Sequence, residues 1–91
     1  MITKASVYER IIEVLRDELL YSGELNPNTS ISHLGLDSIQ LMQLFVYLEE
    51  AFEFEFLEDS IIENMQDVSL DKFSNYVLAA IEHVHAHTSA N

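Results

Sequence analysis

Leu41, Leu44, Phe45, Leu48, Ala51 and Phe52 advance by three and four residues, which sets six apolar side chains on one face of a helix. The stripe follows Gly35 closely, and Asp37 or Ser38 stands where such a helix begins. A helix from Asp37 or Ser38 to about Phe52 or Glu53 therefore needs other helices to cover it. Glu49 and Glu50 fall on the opposite side. Ile39, Met42, Val46 and Tyr47 widen the apolar arc beyond one core contact, and Ile39, Met42 and Val46 are the candidates for an exposed interface.

Two further segments supply that cover. Val7, Ile11, Val14, Leu15 and Leu19 recur at helical spacing from about Ser6 to Leu20, with Ser6 and Glu9 in the pattern of a capping box and a stop near Tyr21-Ser22-Gly23. Leu70, Phe73, Val77, Leu78 and Ile81 define a last helix that starts at Ser69 as N-cap and fades near His85, leaving Thr88 to Asn91 frayed. Gly23, Asn26, Pro27, Asn28, Ser32 and Gly35 mark a long ordered loop tied to the core by Leu25, Ile31, Leu34 and Leu36. Glu53-Phe54-Glu55-Phe56 alternates like a strand but has no second strand to pair with. It is expected to leave the helix extended and to drop Phe54 or Phe56 into the core, before a short helical turn around Glu58 to Glu63.

The fold class is therefore all-α: a four-helix bundle of three main helices and one short third helix, with a long loop between helices one and two. At 91 residues it forms a single domain, with an ordered core from roughly Lys4 to His85 and no room for separate substrate and cofactor domains. A formal net charge of -12 would suggest disorder, but 48% hydrophobic residues are enough for a core. Lys4, Arg10, Arg16 and Lys72 are the only Lys and Arg residues, so no fixed positive charge stands between Asp17 and Asp71. Such a surface repels phosphate backbones and anionic lipids, which argues against nucleic acid and membrane partners and favours basic patches on proteins. Without cysteine, a signal-peptide core or an apolar run near the roughly 20 residues of a membrane span, a cytoplasmic monomer is expected.

Ser38 sits at the first turn of the second helix, where unpaired backbone amides can hold a negative group. It lacks the company of a catalytic serine. His33 is the one histidine near it in sequence, and Gly35-Leu36-Asp37-Ser38 is not the Gly-x-Ser-x-Gly nucleophile elbow. No catalytic residues are assigned, and Ser38 reads as a hydroxyl that is modified. His83, His85 and His87 alternate, so only His83 and His87 can share a helix face, and no segment matches a calcium-binding loop; no metal site is assigned.

Leu34-Gly35-Leu36-Asp37-Ser38-Ile39, followed by a helix ending in Leu48-Glu49-Glu50-Ala51-Phe52, resembles the acyl carrier and peptidyl carrier protein family. The first helix, the long loop, the short third helix and the Val68-Ser69-Leu70-Asp71-Lys72-Phe73 entry to the last helix also fall where that family has them.

The resemblance implies that Ser38 accepts 4'-phosphopantetheine from coenzyme A by the action of a separate phosphopantetheinyl transferase. The arm's thiol would carry an acyl or aminoacyl cargo as a thioester to loading and processing enzymes, so the protein is a carrier and not an enzyme. Gly35 would supply the tight turn and Leu36 would seat the loop or line the exit of the arm. Asp37 has two candidate roles, capping the helix and helping to hold the transferase's magnesium. Docking in the family uses the second helix, here Ile39, Met42 and Val46 with Glu49 and Glu50. Gln40 and Gln43 stand where carboxylates are usual in primary fatty-acid synthesis, which points to a polyketide, nonribosomal-peptide or related pathway; the carrier is expected to be freestanding, with an excised module as the alternative. Leu57 replaces a common proline. The primary fatty-acid carrier is one alternative, and an adaptor that keeps the fold but acts only by protein binding is another.

Overall fold

The computed structural model describes residues 2–55 and 67–89, the last five as backbone only. Helix α1 spans Lys4–Glu13 and continues as a wider π-helical turn, Val14–Glu18. Its N-cap is Thr3 and not Ser6: the Ser6 amide donates to Thr3 Oγ1 at 3.1 Å and the Thr3 amide to Ser6 Oγ at 3.0 Å. The Ser6–Glu9 box is thereby corrected, and tertiary contacts supply the reason. Ile2, just before the cap, packs on the core and Val7 is fully buried, the positions of a hydrophobic staple. Lys4 is ion-paired to Asp71 at 2.6 Å, which fixes the first helical residue to the start of the last helix.

The π turn is closed by the Leu19 amide on the Val14 carbonyl at 3.0 Å and the Tyr21 amide on the Leu15 carbonyl at 2.8 Å. Leu20 takes a left-handed conformation, φ 57°, and its side chain is exposed. Arg16 Nη1 donates to the carbonyls of Tyr21 and Gly23 at 3.1 and 2.6 Å, satisfying backbone acceptors just past the helix end.

The long loop is held by backbone bonds to the start of the last helix. Ile31 donates to Val68, Leu70 to Thr29 and Asp71 to Pro27, at 2.9, 2.8 and 3.0 Å, around an isolated bridge between Ser30 and Ser69. A 3-10 helix, Ile31–Leu34, follows and buries both terminal side chains. Leu25 and Leu36 pack half-buried against the core, as their placement in the loop suggested.

Helix α2 spans Ser38–Phe52 and helix α3 Leu70–Ser89, with Ser69 Oγ accepting from the Lys72 amide at 3.2 Å as its N-cap. The α3 backbone thus continues beyond His85, the expected end. Leu41, Leu44, Phe45 and Leu48 are buried, but Ala51 is exposed and Phe52 only half-buried. The stripe closes early because Glu53 turns left-handed (φ 54°, ψ 57°) and delivers Phe54, not Ala51, to the core. The exit thus begins with a turn at Glu53 that was not expected, while Phe54 is the aromatic it drops into the core, one of the two expected. Phe56 and the short helix around Glu58 to Glu63 lie outside the described residues.

Phe45 and Phe73 stack at the centre, their ring centroids 5.7 Å apart, among Ile11, Leu15, Leu48, Val77 and Ile81. Buried Ser74 donates to the Leu70 carbonyl at 2.8 Å, so its hydroxyl leaves no unpaired group in that apolar setting. Among the described residues the fold is all-helical apart from the one bridge, with the three main helices and long loop expected.

Candidate functional site

The loop hands the chain to α2 through Gly35, whose φ of 69° is left-handed and follows directly on the 3-10 helix. A Cβ there would meet no other atom, so the backbone angle and not space is what favours glycine. Leu36 then anchors the entry against the core, while Asp37 and Ser38 stand exposed.

Asp37 is the N-cap of α2. Its Oδ1 accepts from the Gln40 amide at 2.8 Å, and Gln40 Oε1 accepts in return from the Asp37 amide at 3.2 Å. The Leu41 amide is taken by the Asp37 carbonyl at 2.9 Å. That leaves the amides of Ser38 and Ile39 as the first-turn donors without an intrahelical or capping acceptor, directly beside the Ser38 hydroxyl. An anion esterified to Ser38 would meet these donors and the positive end of the helix dipole. The role of Gln40 as capping partner escaped the sequence reading, although Asp-x-x-Gln is itself a capping-box pattern.

Starting at the residue after Ser38, Ile39, Met42 and Val46 are 69%, 52% and 47% exposed, an apolar strip on the outer face of α2. Together with Gln43, Tyr47 and Glu50 they line a shallow groove. Glu49 is half-buried and also flanks Phe54 at the other end of the helix. Tyr47 links this face to α1. Glu18, by hydrogen bonding and by its charge, raises the Tyr47 phenol above its ordinary pKa, with smaller contributions from burial and from the charge of Glu50.

His33 is exposed on the 3-10 helix, and no group of three metal-ligating side chains occurs among the described residues. No described helix is long and apolar enough to cross a membrane.

The family model for the phosphopantetheine attachment site matches residues 9–77, a span that begins within α1, contains the whole Gly35–Gln40 entry and ends within α3. The chain belongs to the phosphopantetheine-attachment family. No solved structure matches it. Domains of this family are the sites of covalent 4'-phosphopantetheine attachment and work with a phosphopantetheinyl transferase and with biosynthetic enzymes. The phosphopantetheine-attachment family thus gives the chain its coarse function, a carrier, and the helix entry offers chemistry that suits it: an accessible hydroxyl with anion-holding amides alongside.

Proposed function

We propose that Ser38 is the attachment point of 4'-phosphopantetheine and that the protein carries an acyl or aminoacyl group between enzymes without catalysing their reactions. The observation that supports this most is the position of Ser38: exposed, first residue of a capped helix, inside the family match. When attached, the arm supplies a thiol on which cargo is held as a thioester. The chain supplies the hydroxyl, a rigid helix end to project it and two amides that stabilise the phosphodiester. Gly35 and Leu36 set the angle at which the helix begins, and Asp37 caps it and is free to present its second oxygen to a metal held by the transferase.

Ile39, Met42 and Val46 serve as the docking strip, with Glu49 and Glu50 as its acids. The pathway reading rests on Gln40 and Gln43. A glutamate at position 40 would cap equally well, so Gln40 keeps the cap while removing a charge beside Ser38. That favours dedicated enzymes of a polyketide, nonribosomal-peptide or related pathway, acting in the cytoplasm, over primary fatty-acid synthesis. The test is fragment-ion mapping after incubation with coenzyme A and a purified broad-specificity transferase. The added group is expected on Ser38; its placement on any other serine would overturn the assignment.

A further inference from the structure

The exposed face of α2 is divided by charge. Near Ser38 it carries a single carboxylate, Asp37, one oxygen of which caps the helix through the Gln40 amide, and the flanking polar residues are the neutral Gln40 and Gln43. At the far end Glu50 borders the groove, and Tyr47 lies in both that groove and a cleft lined by Asp17 and Glu18 from the π turn of α1. Arg10 shares the cleft but pairs with Glu13 at 3.1 Å, and Lys4 pairs with Asp71; neither ion pair of the described residues neutralises Asp17, Glu18 or Glu50. The apolar strip and the acids are therefore one continuous surface that crosses from α2 onto α1 through Tyr47.

We propose that the docking face of this carrier extends onto the π turn of α1, and that its transferase covers Ile39, Met42 and Val46 with apolar groups while setting basic side chains over Glu18 and Glu50. This second charge contact lies at the far end of the strip from Ser38 and adds to Asp37 beside it. Opposite charges at the rim act mainly on encounter and registration, so their loss weakens capture of the carrier more than turnover once it is bound. The proposal rests on the Ser38 reading.

The experiment measures initial rates of coenzyme A-dependent modification by a purified broad-specificity transferase against carrier concentration, at low and high salt. Glu18→Gln and Glu50→Gln are each expected to raise KM about two- to fivefold with kcat unchanged and to flatten the salt dependence. Glu18→Lys should raise KM further, and Glu9→Gln, an exposed carboxylate elsewhere on α1, should leave it unchanged. Circular dichroism of each variant checks that the helices are intact. Wild-type KM for folded Glu18→Gln and Glu18→Lys overturns the extended face while leaving the Ser38 reading standing. Absence of modification in the wild type overturns the Ser38 reading itself.

Discussion

Asp37 and Gln40 cap one another across the first turn of α2: the side chain of each accepts from the backbone amide of the other, at 2.8 and 3.2 Å. The pair orders the turn that projects Ser38, and it leaves the Ser38 and Ile39 amides for a bound anion. Asp37→Ala is expected to destabilise the protein by about 1 kcal/mol in urea denaturation. Asp37→Asn keeps the cap and should hold stability close to wild type. Its modification rate then separates the two roles of Asp37: a wild-type rate assigns it to capping alone, and a fall with unchanged stability assigns it to metal binding as well.

Gly35→Ala tests the backbone at the other side of the same turn. A methyl group meets no atom there, yet φ of 69° is unfavourable for any residue with a Cβ. Denaturation should show a loss of about 1 kcal/mol. An unchanged midpoint would mean that the entry to α2 does not require the left-handed turn.

Glu53 presents the converse case, a non-glycine residue at φ 54° closing α2. Glu53→Gly should stabilise by about 0.5 kcal/mol, since relief of the left-handed strain outweighs the added chain entropy of the unfolded state. Thermal and urea unfolding both report the sign.

Tyr47 should be distinguishable among the four tyrosines by absorbance titration, ionising above the ordinary value of 10.0 because of Glu18. Glu18→Gln should return it toward that value. Since the folded state favours the neutral phenol, the stabilisation linked to it is complete below pH 10.0 and is lost as pH rises through the folded pKa. Stability near neutral pH should therefore carry no slope from Tyr47.

The second helix was legible because two independent signals agree on it, the Asp37 cap at one end and a stripe of apolar residues behind it. A local pattern alone could not place the first cap. Ser6-x-x-Glu9 has the capping-box sequence, yet the helix is capped at Thr3, where Ile2 meets the core and Lys4 meets Asp71, contacts that exist only in the folded chain. The π turn was invisible for a similar reason: Val14, Leu15 and Leu19 have ordinary helical spacing, and the wide register is held by the Tyr21 amide and by Arg16 reaching over to Tyr21 and Gly23. Glu53-Phe54-Glu55 alternates like the start of a strand, but Glu53 is left-handed and turns Phe54 into the core. At the site, Ser38, Asp37 and the exposed Ile39, Met42 and Val46 stood out from motif and periodicity. The neighbourhood of Glu18 and Tyr47 did not, since it joins two helices far apart in sequence.

Intact mass spectrometry after incubation with coenzyme A and a purified phosphopantetheinyl transferase tests the central claim most directly. The wild type should gain the mass of one phosphopantetheine and the Ser38→Ala protein none. A wild type that stays unmodified, or a Ser38→Ala protein that gains the same mass, would contradict it.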